Sequence, residues 1–180
     1  MNYKNYHRDK TYLENESLFR NIFSKRFNVA RKFFSKNSKT VLDIGASNGV
    51  MLDIFAEKGF ETWGIEPSKS GKVAEHKGHR ILHTFFENAK LPNNFFDVVI
   101  LNHTLEHMDD PVLVMKKIYQ ILKKGAIVYV DVPNAGGLGA KLLGDNWPYR
   151  LPKEHKHQFT KKSLQEIFKV AGFKVIHFES

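Results

Sequence analysis

The stretch TVLDIGASNGVMLDIFAEKGFETWGIEP, residues 40–67, decides how the chain folds. Val41-Leu42-Asp43-Ile44 is a short apolar run of the kind that forms a buried parallel strand. It breaks into Gly45-Ala46-Ser47-Asn48-Gly49, small residues that let a backbone turn tightly and approach a ligand. Val50, Met51, Ile54 and Phe55 then recur at helical spacing, and Gly59 sits where a helix ends. Thr62-Trp63-Gly64-Ile65 reads as a second strand, ending in Glu66. Strand, glycine loop, helix and strand with a terminal carboxylate is the arrangement that binds nucleoside cofactors.

Outward from this unit, the pattern alternates. Toward the N-terminus, residues 1–11 read as mobile. Tyr12 to Phe34 reads as one or two helices, with Phe19, Ile22, Phe23, Ala30, Phe33 and Phe34 near one face. Beyond Glu66, a short helix over Lys69–Glu75 with Ser68 as N-cap is expected. Strands follow at Arg80–His83 and Phe96–Leu101. Pro111 opens a helix that runs to Gly125, and Ala126–Val132 is a fifth strand. An irregular insert spans Pro133 to Leu151. Thr160 caps a last helix, with Leu164, Ile167, Phe168 and Ala171 on one face, Gly172 at its end and a strand over Phe173–Ile176 behind it.

Strands alternating with helices imply an α/β fold: a doubly wound, mostly parallel, Rossmann-like sheet with helices on both faces. We expect one globular domain, with residues 1–39 as an N-terminal helical cap and 40–180 as the cofactor-binding part. In such sheets ligands gather at the carboxyl ends of the strands. The polar positions after strands one to five, Ser47, Glu66, Glu87, His103 to His107 and Asn134, fall on that edge.

Composition narrows the function. The 180 residues carry a net charge of +9 and no cysteine, so thiolate zinc sites, disulfides and cysteine nucleophiles are excluded. Residues 1–42 hold ten Lys/Arg against three acids, 43–110 six against eleven, and 111–180 twelve against five. An acidic middle between basic ends suits a cationic ligand and an anionic second substrate. No apolar run reaches membrane-spanning length and the start lacks a signal-peptide core, so a cytoplasmic protein without membrane insertion is expected.

The loop is not GxGxxG, and Asp43 places a carboxylate where a pyrophosphate would otherwise sit. Repulsion there favours a cationic or amino-bearing ligand. VLDIGASNG resembles the first motif of class I S-adenosylmethionine-dependent methyltransferases, and GIEPS their second. FFENAKLPNNFFDVVILNHTLEHMDDP is similar to the third and fourth, and LKKGAIVYVDVPN to the fifth. HKHQFTKKSLQEIFKVAGF resembles a branch containing quinone-biosynthesis and sugar-type O-methyltransferases.

The resemblance implies S-adenosylmethionine as cofactor and assigns residues to it. Asp43 would stand near its amino-acid portion, with Gly45, Ser47 and Gly49 letting the backbone approach; Ser47 replaces the family's usual middle glycine. Glu66, followed by Pro67, would accept from the ribose hydroxyls. Glu87 and the Asn88 backbone would meet the adenine edge, and Asn102 and His103 the methionine side.

Methyl transfer to oxygen or nitrogen needs a proton removed, and histidine suits that task. The family's Leu-Glu-His pattern points to Glu106 and His107, and His155 occupies a position often histidine in the branch resembled. HExxH spacing is absent, so no metal is expected. No base-methylation motif or nucleic-acid module is present, so nucleic acid is disfavoured as partner. Transfer to an oxygen, ahead of nitrogen or carbon, of a small-molecule or sugar-like acceptor is expected, and an anionic group on it could meet Arg150, Lys153 and Lys156. By the resemblance, the sheet is expected to lack the family's final antiparallel strand. The rival readings are a non-catalytic cofactor-binding or interaction domain of the same fold, and a nucleotide-dependent oxidoreductase.

Overall fold

The computed structural model describes residues 15–180. Its described residues fall into two compact units: those up to Leu101 with Ile121–Tyr129, and Asn102–Gln120 with Val130–Ser180. The expected mobile start, residues 1–11, and the first residues of the expected N-terminal helix lie outside the described residues.

The first unit is built on strand β1 (Thr40–Ile44), all five residues of which are buried. On one side it pairs in parallel with β2 (Glu61–Ile65), Asp43 opposite Gly64. On the other it pairs in parallel with β4 (Phe96–Asn102), Asp43 opposite Ile100. Strand β3 (Arg80–Leu82) adds in parallel to β2. Strand β5 (Leu122–Asp131) lies beside β4, giving the order β3-β2-β1-β4-β5. That order is doubly wound and reverses between β1 and β4, as the sequence pattern implies.

Parallel pairing requires crossovers, and helices α2 (Val50–Ala56) and α3 (Gly71–His76) supply the first two. Neither is long enough to stand alone. Helix α2 persists because Val50, Met51, Leu52, Ile54 and Phe55 are all buried. Helix α1 (Glu16–Ala30) packs on the same core through Phe23 and Phe27. The Phe27 and Phe55 rings meet edge to face at 4.8 Å, and Phe60 meets Phe55 at 5.1 Å. The helical stripe is therefore core at Phe23 and Ala30, with Phe27 buried beside them and Ile22 exposed.

Asp97 fastens the amino ends of the strands. Its Oδ2 accepts from the Lys39 and Thr40 N–H groups, at 2.9 and 3.0 Å, and from the Thr40 hydroxyl at 2.8 Å. Lys123 Nζ on β5 completes the set at 2.9 Å. Burial alone would raise the Asp97 carboxyl, but the bonds from Lys39, Lys123 and Thr40 outweigh it and hold it below its ordinary value.

The second unit contains helix α4 (Pro111–Ile121, whose last residue belongs to the first unit), the short helix α5 (Leu138–Leu143) and helix α6 (Lys161–Val170). Thr160 caps α6 as expected, and does so reciprocally with Ser163: Ser163 N–H donates to Thr160 Oγ1 at 3.2 Å, and Thr160 N–H to Ser163 Oγ at 2.9 Å. Gly172 ends the helix at φ 93°, and Phe173 N–H turns back to Phe168 O at 2.8 Å.

Four expectations give way. Ser68 does not cap α3; the helix starts at Gly71 behind Ser70, and Ser68 Oγ is bonded to Ser70 Oγ at 2.6 Å. The fifth strand begins at Leu122 directly after α4, since Gly125 (φ 78°) is accommodated within the strand and does not end the helix. The insert is not wholly irregular, since it holds α5 and a 3-10 turn at Gly144–Asn146. Phe173–Ile176 forms no strand. Its Val-Ile run has strand propensity, but a strand is stable only in a ladder, and none of the described strands pairs with it.

Asp97→Ala should lower stability by about 1–2 kcal/mol at pH 7, because it removes a half-buried acceptor and leaves the Lys39 and Thr40 donors without it. A depressed carboxyl contributes stability above its unfolded pKa that is lost as pH falls through the folded value. The gap between variant and wild type, measured by urea unfolding, should therefore narrow as pH drops below 3.8.

Candidate functional site: the glycine loop and the histidine cluster

In the first unit, the loop after β1 is held by backbone and carboxylate bonds. Gly45 and Ala46 N–H donate to Ile65 O at 2.8 and 3.1 Å, and Gly49 N–H to Ala46 O at 2.9 Å. Glu66, buried at the end of β2, takes Ser47 N–H on Oε2 at 2.9 Å and Ser68 N–H on Oε1 at 2.8 Å. Each carboxylate oxygen retains a second lone pair, so Glu66 can still accept from a ligand.

Ser47 takes a backbone conformation that favours glycine. It lies at φ 47°, in the left-handed region that costs a side-chain-bearing residue about 1–2 kcal/mol. Such an outlier persists only where its surroundings over-determine it; here the Glu66 bond to its N–H does so. Gly49 is required twice over. Its φ is 81°, and a Cβ there would meet Ala74 Cβ at 2.8 Å and His79 Cδ2 at 3.0 Å.

Two buried oxygens in this region lack a hydrogen-bond partner, Asp43 Oδ1 and Ser47 Oγ. Burial, with the Glu66 charge adding to it, pushes the Asp43 carboxyl up to about 7. A buried carboxyl in that state is complementary to a ligand that brings a positive charge or N–H donors. Pro67 follows Glu66 half-buried, and Glu87 and Asn88 lie exposed on a 3-10 turn, Phe86–Asn88, after β3.

In the second unit, a 3-10 turn at Leu105–His107 follows β4. His103 stands at φ 52°, a second left-handed non-glycine residue, with its N–H on Asp131 O at 2.8 Å. Its ring stacks on Tyr149 at 6.0 Å. Asn102 precedes it, half-buried. His157 N–H donates to Glu106 O at 3.1 Å, which draws the segment around His155 onto the turn.

Glu106, His107 and His155 thereby come together, each offering a ligand atom within 4.8 Å of the others. The two histidine rings meet edge to face at 4.8 Å. His107 Nδ1 lies 2.9 Å from Glu154 O, and His155 Nδ1 2.8 Å from Tyr149 O. Carbonyls only accept, so Nδ1 carries the proton in both rings and Nε2 is the lone-pair nitrogen in the neutral form. Glu106 is 1% exposed with both oxygens lacking a well-aligned hydrogen bond, while His103 Nδ1 approaches Oε1 at 3.3 Å and His155 Nε2 at 3.9 Å. Two imidazole nitrogens and a buried carboxylate make a proton-accepting group. They are also a donor set that a divalent cation takes.

The chain matches the methyltransferase-domain family over residues 16–178, and it belongs to that family. A ubiquinone biosynthesis O-methyltransferase from Nitrosomonas europaea is 26% identical over 135 residues, 69% of this chain and 57% of that protein. One of the same description from Aeromonas salmonicida is 27% identical over 152 residues, 76% of this chain and 63% of its own length. The chain thus spans less than two thirds of these relatives. A crystal structure of a SAM-dependent methyltransferase from Archaeoglobus fulgidus superposes with a TM-score of 0.70 at 24% identity, over 86% of this chain and 69% of that one. A plantazolicin methyltransferase solved with a pentazolic desmethyl analog and SAH superposes at 0.68 with 15% identity, over 89% and 72%. The fold is therefore the one those methyltransferases have.

The loop residues and both histidines were candidates from the sequence, and the structure brings Glu106, His107 and His155 together. The sequence did not single out Asp97, nor the left-handed backbone at His103, which is held by a long-range bond from its N–H to Asp131 O.

A raised carboxyl holds more protons in the folded chain than in the unfolded one, so stability falls as pH climbs. Asp43's share of that fall should run from about pH 4 to about pH 7 and then level off. Asp43→Asn, which mimics the protonated acid, should flatten it and exceed wild type in denaturant midpoint at pH 8.

Proposed function

We propose that this chain is an S-adenosylmethionine-dependent methyltransferase that methylates an oxygen of a small-molecule acceptor. Membership of the methyltransferase-domain family supports the reaction class. The observation that carries the cofactor assignment is the buried Asp43 carboxyl, raised to about 7 with Oδ1 unbonded, in the loop whose Ser47 Oγ is also unbonded. The O-methyltransferase relatives favour oxygen as the acceptor atom.

Bound there, S-adenosylmethionine would supply an electrophilic methyl group on its sulfonium. Asp43 would take the ammonium end, Gly45, Ser47 and Gly49 would leave the backbone open to it, and Glu66 with Pro67 would hold the ribose. Glu87 and the Asn88 backbone would meet the base, and Asn102 and His103 the methionine side. His107 and His155 would remove the acceptor's proton at Nε2, with Glu106 stabilising the imidazolium that forms. A correctly placed base contributes about 10²–10⁴ in rate. Arg150, Lys153 and Lys156 would attract an anionic acceptor. Among the described residues no helix is long and apolar enough to cross a membrane. An oxidoreductase reading is disfavoured by Asp43, whose carboxylate would repel a pyrophosphate.

A second reading of the same cluster is favoured by the buried, unbonded Glu106 oxygens beside two histidines. A divalent cation there would lower the acceptor hydroxyl's pKa in place of a base.

Calorimetry with S-adenosylhomocysteine and NAD tests the cofactor assignment. The sulfur nucleoside should bind, and NAD should not. An ammonium beside Asp43 lowers its pKa, so binding at pH 7 should release roughly half a proton, read from buffers of different ionisation enthalpy. Release should vanish at pH 9 and in Asp43→Asn. NAD binding without S-adenosylhomocysteine binding would overturn the proposal.

His107→Ala and His155→Ala should each cut kcat with a phenolic probe acceptor by about 10²-fold or more, with nucleoside affinity within twofold of wild type. Elemental analysis separates the two readings. One equivalent of metal, lost in Glu106→Ala, with activity abolished by chelator, favours the cation; metal-free active protein favours the base.

A further inference from the structure

Behind the glycine loop, within the first unit, lies a polar chain that the methyl-transfer chemistry does not use. His79 is buried, its side chain 4% exposed, just beyond α3. Its Nε2 lies 2.8 Å from Asp53 Oδ1 on α2, and its Nδ1 2.8 Å from the Thr62 hydroxyl on β2. Asp53 only accepts, so Nε2–H is the donor on that side. Asp53 Oδ2 accepts from Lys77 Nζ at 2.9 Å, and the same ammonium reaches Glu16 Oε1 on α1 at 3.2 Å. Glu16 Oε2 accepts from Asn48 Nδ2 at 3.4 Å, inside the glycine loop.

The chain therefore leaves the loop and comes back to it. At one end the His79 ring backs onto Gly49, where a Cβ would come within 3.0 Å of Cδ2. At the other, Glu16 holds the side chain of buried Asn48. Asn48 and Gly49 are the last two residues of the loop before α2 begins. Gly49 at φ 81° has no Cβ to limit its own backbone, so its conformation has to be imposed from outside. His79 and Asp53 impose it by filling the space behind Gly49 with a ring fixed at both nitrogens.

We propose that His79 is a positioning residue for the cofactor loop, acting with Asp53, Lys77 and Glu16 to hold Asn48 and Gly49 in their binding conformation. This rests on the reading that the loop binds S-adenosylmethionine. Nothing in the chain touches the reacting atoms, so its loss raises the cost of ordering the loop on binding and leaves the chemical step intact. Two consequences separate positioning from general stability. Cofactor affinity falls while kcat at saturating cofactor stays, and the effect depends on which nitrogen of His79 is replaced. Glutamine can present its amide nitrogen toward Asp53, as Nε2 does; asparagine, one methylene shorter, is matched to the Nδ1 side and leaves Asp53 without a donor.

The experiment titrates the 180-residue chain with S-adenosylhomocysteine by calorimetry and measures urea unfolding of the same samples. Expected results are a Kd raised tenfold or more in His79→Ala and His79→Asn, and recovery to within about threefold in His79→Gln. Glu16→Ala changes a helix position with a 41% exposed side chain, so folding is not at stake there; its Kd should rise at least threefold with an unchanged urea midpoint. Leu164→Ala, in the core of the second unit, serves as a destabilised control and should leave Kd within twofold. If wild type binds while His79→Gln and Glu16→Ala behave as His79→Ala and wild type respectively, the positioning role is overturned. If His79→Ala does not fold, the role is overturned when His79→Gln binds tenfold or more weakly than wild type and Glu16→Ala binds as wild type does. Failure of wild type itself to bind S-adenosylhomocysteine would instead overturn the cofactor assignment.

Discussion

Everything in the first unit follows from β1 being paired in parallel on both sides. A strand in that position is shielded along its whole length, and Thr40 to Ile44 are all buried. Parallel neighbours cannot be reached by a hairpin, so the chain must leave β1, turn, and return through a helix before β2 begins. The turn has to happen within five residues, Gly45 to Gly49, three of them at positive φ. Tight turning and ligand access are thus the same requirement. Small residues satisfy both, because no bulky side chain stands between the backbone and a ligand.

The same constraint creates the chemical tension of the site. Asp43 is an interior residue of a central strand, where desolvation disfavours its charge and Glu66 disfavours it further. Asp97, on the neighbouring strand, meets the opposite outcome because backbone and side-chain donors surround it. The two carboxylates differ in depth and in the supply of donors: Asp43 is buried with an unbonded oxygen, and Asp97 is half-buried among donors. Asp97 is satisfied by the protein and fastens the sheet; Asp43 keeps an unbonded oxygen, which is what a binding residue needs before its ligand arrives.

Much of this was legible in the chain, and for identifiable reasons. Val41–Ile44 and Phe96–Leu101 are apolar runs too short for free-standing helices, and both are strands. Thr160 followed three residues later by Ser163 is a local capping pattern, and local patterns survive folding. Phe173–Ile176 misled because strand propensity says nothing of whether a partner is present. Ser68 misled because its hydroxyl found Ser70 instead of the helix. The Glu106–His107–His155 grouping was visible only as separate candidates, since the His157 to Glu106 backbone bond that draws the segments together is a long-range contact.

By itself the sequence determined the parallel α/β architecture, the position of the glycine loop and the family, because each is written in short-range periodicity and contiguous motifs. Tertiary structure alone decided that Ser47 adopts the glycine conformation, held by Glu66, and that the Asp43 oxygen stays unbonded. It also decided that His79, Asp53, Lys77 and Glu16 close a chain on Asn48 and Gly49. These depend on hydrogen bonds between residues far apart in the chain. Their partners are chosen by which groups the packed core leaves within reach, and no local pattern of residues encodes that choice.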